Sequence, residues 1–241
     1  MRTIRYQEIA NTLRERVLRE GPGHVLPSES ELSAEFAVSR VTVRRALETL
    51  RDDGMLDSRQ GFGWFVATAP FQQRLGRLDT IESQLSARGI DAERRILEFA
   101  FEQAPTHVAA VLGTANVLRV KRLNLADGTP FAVVTVWCPA ELGQHLSRRD
   151  VERKPFYELL GVQLHGASQT IGAAAASDND ATLLAIPAGS PVLRCERTTT
   201  SVDGVPILLS EHIFPAHITE FTVDLPHDEP SIVPAGLRLV D

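Results

Sequence analysis

Leu26-Pro27-Ser28-Glu29-Ser30-Glu31-Leu32, followed by Phe36-Ala37-Val38-Ser39-Arg40-Val41-Thr42-Val43-Arg44-Arg45-Ala46-Leu47, is the stretch that decides the fold. Ser28 and Glu31 have the spacing of a capping box, with Pro27 just outside it, so a short helix starts here and carries Leu32 and Phe36 inward. Ala37-Val38-Ser39 is a tight turn that ends on a good N-cap. The next helix runs from about Arg40 to Asp53, with Val43, Ala46, Leu47 and Leu50 as its apolar stripe and Gly54 as its C-cap. Upstream, Tyr6, Ile9, Ala10, Leu13, Val17 and Leu18 recur at helical spacing over residues 5–20, and Gly21-Pro22-Gly23 stops that helix. Downstream, Met55–Arg59 and Trp64–Ala67 read as two short strands joined through Gln60-Gly61-Phe62-Gly63. Three helices with a three-residue turn between the last two, followed by a β-ribbon, make a winged helix-turn-helix.

Arg40, Thr42, Arg44 and Arg45 face away from the stripe at the N-terminal end of the third helix, the part that a recognition helix sets against base edges in the major groove. On periodicity alone, a solvated basic face on an ordinary three-helix unit fits equally well. The residues quoted above, with Leu56, Gly61, Gly63 and Phe65-Val66, resemble the DNA-binding domain of the GntR family of bacterial repressors, without a gap over about forty residues. The resemblance implies a homodimer on a short palindrome, Arg40 and Arg44 at bases or phosphates, and Gly61 letting the wing approach the minor groove. The expected DNA contacts run over Ser28, Ser39, Arg40, Thr42, Arg44 and Arg45 and, on the wing, Gln60, Gly61, Phe62 and Gly63. Ser30 and Phe62 stand where relatives often carry Arg or Lys. Fewer phosphate contacts and a shallow salt slope are therefore expected.

The charge balance agrees with that. The chain of 241 residues carries a net −6, from 25 basic and 31 acidic residues. The first 66 residues hold ten Arg and ten acidic residues, so the deficit belongs entirely to the rest. Only Lys121 and Lys154 are lysines, and Arg has the planar fork suited to guanine or phosphate. With 43% hydrophobic and 23% charged residues the composition is globular. No apolar run approaches a bilayer span, no signal-peptide core follows Met1, and Cys138 and Cys195 make no disulfide framework, so a cytoplasmic protein is expected.

Thr68-Ala69-Pro70 and the polar Phe71–Arg74 read as a linker, which divides the chain into a winged helix-turn-helix (1–67), a linker (68–76), an effector domain (77–225) and a loose tail (226–241). The effector part alternates helices and hairpins. Leu78, Ile81, Leu85 and Gly89 suggest a helix with a Gly stop, Arg94–Phe101 a strand, Thr106–Leu112 a helix, and Val117–Leu125 with Phe131–Cys138 a hairpin. Val117-Leu118-Arg119-Val120-Lys121-Arg122, then Asp127-Gly128, Pro130 and Pro139, aligns with Val192-Leu193-Arg194-Cys195-Glu196-Arg197, then Asp203-Gly204, Pro206 and Pro215, at an offset of about 75 residues. A helix precedes each copy, Thr106–Leu112 and Asp178–Ile186. We read an α+β domain with an antiparallel sheet and an internal pseudo-repeat. Strand parity puts Leu118, Val120, Arg122 and Asn124 on one face, and Leu193, Cys195, Arg197 and Thr199 on the equivalent face. A buried Arg needs an acidic partner or an anionic ligand, and the residues alone leave both open.

This half resembles the UTRA effector-binding domain of the HutC subfamily, on Arg88-Gly89, Arg122 to Pro130, Pro155-Phe156-Tyr157-Glu158-Leu159-Leu160 and Pro191 to Pro206. The resemblance implies a chorismate-lyase-like fold and a pocket for a small anion: phosphate, phosphonate, sugar phosphate or carboxylate. Its anion-binding positions fall on Thr80, Arg122 and Asn124, so the second Arg of the pattern is lost. Positions that grip sugar hydroxyls fall on Val134 and Leu208, and a pocket Tyr on Phe214, which favours a smaller or more apolar anion over a sugar. Arg5 to Ala10 and Ile218 to Val223 resemble the phosphonate-metabolism regulators of the subfamily, whereas Pro215-Ala216-His217-Ile218 departs from their pattern.

The seven histidines lack metal-site spacing, no phosphate loop or nucleophile elbow occurs, and no metal or cofactor is expected. Asp178 and Asp180 fit helix capping better than acid–base chemistry. The sequence thus reads as a ligand-responsive DNA-binding repressor, not an enzyme. The alternatives are a lyase-like enzyme fused to a DNA-binding head, and an architectural DNA-binding protein without an effector.

Overall fold

A computed structural model describes residues 5–60, 62–68, 70–75, 85 and 89–225. Helix α1 (Arg5–Arg19) buries Ile9, Ala10, Leu13 and Val17. Leu18, expected on that stripe, is exposed, because five residues past Leu13 turns it about 140° around the helix. Helix α2 (Glu29–Glu35) starts with the expected capping box: Glu31 N–H donates to Ser28 Oγ, and Ser28 N–H to the Glu31 carboxylate. Helix α3 (Arg40–Asp52) is N-capped by Ser39 and buries Val43, Ala46, Leu47 and Leu50. Its C-cap is Asp53 rather than Gly54. Gly54 follows at φ +74, and Met55 N–H reaches back to Leu50 O, which makes a Schellman ending. Strands β1 (Leu56–Arg59) and β2 (Gly63–Val66) pair antiparallel as the wing.

The stretch expected as linker contains a strand. Residues Phe71–Arg74 (β3) pair in parallel with β10 (Thr219–Thr222) near the other end of the chain. Then come β4 (Ala92–Gln103), α4 (Thr106–Leu112), β5 (Asn116–Ala126) and β6 (Thr129–Pro139). Short helices α5 (Ala140–Gly143), α6 (Arg148–Arg153) and α7 (Phe156–Leu159) lead to the second copy: β7 (Leu164–Ala175), α8 (Asp178–Leu184), β8 (Pro191–Ser201) and β9 (Pro206–Pro215). Ser177, not Asp178 or Asp180, is the N-cap of α8, accepting from Asp180 N–H. Asp127 and Gly128, both at positive φ, form the two-residue turn between β5 and β6.

The six-stranded sheet has the order β4-β5-β6-β9-β8-β7, antiparallel throughout. Two strand–helix–strand–strand units therefore meet at the central β6–β9 pair, which agrees with the repeat in the sequence. One face packs Leu118, Val120, Phe131 and Val134 against Leu146, Val151 and Phe156 of the α5–α7 segment. On the other, Val108 and Leu112 of α4 lie on Val117, Trp137 and Leu209. Leu85 is buried in the first of these clusters; Leu78, Ile81 and the tail 226–241 lie outside the described residues. No helix among the described residues is long and apolar enough to cross a membrane.

Candidate functional site

At the head, α3 presents Arg40, Val41, Arg44 and Arg45 to solvent. Arg44 is pre-positioned. Its Nε donates to both Glu29 carboxylate oxygens at 3.0 and 3.2 Å, and its Nη2 to Oε2 at 2.7 Å. Trp64 Nε1 donates to the same carboxylate. These donors hold the Glu29 carboxyl below its ordinary range, Arg44 contributing most. The Arg45 guanidinium lies over the Tyr6 ring at 4.3 Å, which ties it to α1. Ser39 and Thr42 share a hydroxyl contact of 2.9 Å at the helix start, and Ser28 is likewise engaged in its cap. Gln60 is exposed at the wing turn, and Gly63 opens β2 at φ +105. Gly61 lies outside the described residues.

Phe62 differs from expectation. It is only 7% exposed, and its ring lies against His217 of the sheet domain rather than projecting from the wing. The reason is elementary: an apolar ring at a turn is driven to the nearest apolar surface.

In the sheet domain, one face of the sheet forms a pocket. Arg122 and Asn124 enter from β5, Val136 from β6, and Leu208, Ser210, His212 and Phe214 from β9. Cys195, Arg197 and Thr199 enter from β8, Gln169 from β7, and Gln73 from β3, with Pro155, Phe156 and Tyr157 at the rim helix α7. Three positions are repeated across the pseudo-twofold: Arg122 with Arg197, Asn124 with Thr199, and Val136 with His212. Arg122 and Asn124 are buried. Arg197 Nε donates to Gln169 Oε1 at 2.7 Å, and His212 stacks on Phe214 and contacts Ser210 Oγ at 2.9 Å. Burial pushes the Cys195 thiol up to about 11 and that of Cys138 to about 12, so neither supplies a thiolate at neutral pH.

Of the expected effector residues, Arg122, Asn124 and Phe214 share this pocket, and Thr80 lies outside the described residues. Leu208 lines the pocket, while Val134, opposite Arg122 and His212 on the same face, is buried and does not line it. Sequence reasoning left Arg197 open and missed Gln73, Tyr157, Gln169 and His212. The repeat offset carried the signal for Arg197, because it places Arg197 at the equivalent of Arg122. Gln73 had no signal, since its strand is short and pairs with a distant segment.

Two family models match the chain. One, for bacterial regulatory proteins of the gntR family, covers residues 5–66, and the other, for the UTRA domain, covers residues 87–219. The HTH-type transcriptional regulator Rv0792c of Mycobacterium tuberculosis is 32% identical, over 92% of this chain and 86% of its own. The histidine utilization repressor of Pseudomonas putida is 30% identical, over 75% of both. The crystal structure of PhnF from Mycobacterium smegmatis superposes with a TM-score of 0.62 at 26% identity, covering 91% of this chain and 99% of that one. These relatives are transcriptional regulators rather than enzymes. With a reading head at one end and an effector domain at the other, the chain belongs to the GntR family of DNA-binding transcriptional regulators and carries its UTRA domain.

Proposed function

We propose that the protein is a repressor that binds an inverted-repeat DNA site as a homodimer through the N-terminal half of α3, with Arg40 and Arg44 as the reading residues. A small anionic effector in the sheet-domain pocket alters that binding. The observation that carries the effector reading is the pair Arg122 and Arg197. They stand at matching repeat positions, on strands three spacings apart, or about 14 Å between backbones, and both reach one pocket. Guanidinium groups approaching from opposite sides favour a ligand with anionic oxygens at two ends, or one anionic group seated between them. Asn124, Gln169 and Ser210 add polar contacts, while Phe156, Leu208 and Phe214 supply apolar wall where a sugar would need hydroxyl partners. A phosphonate or carboxylate with a compact, partly apolar body fits this lining better than a sugar phosphate. The relative named as a repressor supports the sign of regulation.

Thermal-shift titration with methylphosphonate, phenylphosphonate, benzoate, succinate and glucose 6-phosphate tests the pocket. We expect saturable stabilisation of the wild type by at least one phosphonate or carboxylate; at a hundredfold excess over Kd it amounts to about 2.7 kcal/mol. Arg122→Ala and Arg197→Ala should each abolish the shift at the same concentration. Retention of the full shift in Arg122→Ala would displace the effector from this pocket. Sedimentation with and without a duplex selected from a random library checks the dimer.

A further inference from the structure

Phe62 and Phe65 of the wing pack against the chain's own sheet domain. The Phe62 ring stacks on His217 with centroids 3.9 Å apart and planes at 29°, and Phe65 is set edge-on to both rings. His217 Nε2 donates to Gly23 O at 3.1 Å, and Arg59 Nη1 donates to Ala216 O at 2.8 Å. Phe62 and Phe65 belong to one buried cluster with Leu125, Leu184 and Val192 of the sheet domain. The glycine backbone of the head comes close to side chains of the sheet domain because no Cβ stands in the way. A Cβ on Gly23 would lie 3.0 Å from Ile218 Cγ2, and one on Gly21 2.4 Å from Thr129 Oγ1. Two separate elements of the head, the α1–α2 loop and the wing, are therefore seated on the 215–218 segment and the β5–β6 hairpin.

A wing contributes to DNA binding by projecting its turn toward the duplex beside the recognition helix. Here the α3 half of that surface is exposed, whereas on the wing Phe62 is covered and held against the sheet domain while Gln60 and Gly63 remain exposed. We propose that this contact is an intramolecular latch. The 215–218 segment occupies the wing, holds the head in an arrangement that does not seat on duplex DNA, and must release the Phe62–His217 stack before the protein binds its site.

The latch adjoins the pocket along two strands. Strand β9 carries His212 and Phe214 in the pocket and continues into His217, three residues beyond Phe214. Strand β3 carries Gln73 in the pocket, and Phe71 N–H at its start donates to Ile218 O at 2.6 Å, beside the latch. An effector that shifts β9 or β3 thus acts on the latch with no element in between, which is a population shift between closed and open heads.

The inference rests on the head binding duplex DNA, and the wild-type protein tests that separately. A duplex recovered by the wild-type chain from a random library is titrated by fluorescence anisotropy with wild type, Phe62→Ala, His217→Ala and the double variant, all full length. Each single variant should bind at least about threefold more tightly, because removing the closed population raises the binding-competent fraction. The double should be no tighter than the better single, since both break one contact. Small-angle scattering should show a larger radius of gyration for each. His217 lies outside the head, so weaker or unchanged binding by His217→Ala overturns the latch, as does weaker binding by Phe62→Ala, which would make Phe62 a DNA contact. Circular dichroism melting confirms folding, and Phe62→Leu with His217→Gln replace any alanine variant that fails it. Failure of the wild type to recover a duplex would overturn the DNA reading instead.

Discussion

Arg44 shows how one carboxylate fixes the direction of an otherwise flexible cation. Glu29 takes three N–H contacts from it and a fourth from Trp64, so the guanidinium is set before DNA arrives. The effect of removing Glu29 separates two forces. On charge alone, losing an anion from a phosphate-facing surface tightens binding. On geometry, a released Arg44 must be ordered at the moment of binding, which weakens it. We expect geometry to win: Glu29→Gln should bind several-fold more weakly, with loss of discrimination against a duplex mutated in the half-site and little change in salt slope. Tighter binding with a changed slope would show that Glu29 acts only as a charge. At this scale the sequence told much. The caps at Ser28 and Ser39 and the outward Arg40 and Arg44 follow from local spacing, and Arg122 follows from strand parity. Phe62 was legible as an apolar residue at a turn but not as a buried one, because its partner His217 lies far along the chain.

At the scale of elements, close packing decides what the short helices do. Helix α5 lies on β5 through Gly143, where a Cβ would sit 2.8 Å from Leu118 Cδ2 and 3.0 Å from Cys138 Sγ. Both neighbours are fully buried, so neither gives way easily. Alanine in place of glycine favours a helix by about 1 kcal/mol, whereas overpacking a filled core costs about 1–3 kcal/mol. Gly143→Ala should therefore be destabilising by about 1 kcal/mol in urea unfolding, and the loss should shrink in a Leu118→Ala background, where space is available. A stabilised Gly143→Ala would mean that α5 is not pressed on the sheet as described. The long strands and α4 were legible from alternation and helical period. Strand β3 was not: Phe71-Gln72-Gln73-Arg74 has no alternation of its own, and it is a strand only because Thr219–Thr222 returns beside it.

At the scale of the whole molecule, the sequence repeat foretold an antiparallel sheet of two like halves but not the strands through which they meet, and the seating of head on sheet had no local signature. That seating depends on a neutral histidine. Burial pushes His217 down to about 4, with Arg59 of the wing adding repulsion and the bond to Gly23 O opposing the shift. The other titratable groups at this junction are Glu20 and His24, across a small cavity that His217 also lines. His217 Nδ1 is buried without a hydrogen-bond partner, so a second proton there meets no acceptor. When the head lifts, His217 returns toward its ordinary 6.5. A group whose pKa is depressed in the closed form stabilises that form fully above 6.5, and the contribution fades as pH falls toward 4, by at most about 3 kcal/mol. The closed head should therefore open on acidification between pH 6.5 and 4. Small-angle scattering across this window should show the wild type expanding, while His217→Gln, which cannot take up the proton, should keep one radius of gyration throughout. Acidic groups elsewhere titrate in both proteins, so an equal expansion in His217→Gln would assign the opening to them and not to the histidine.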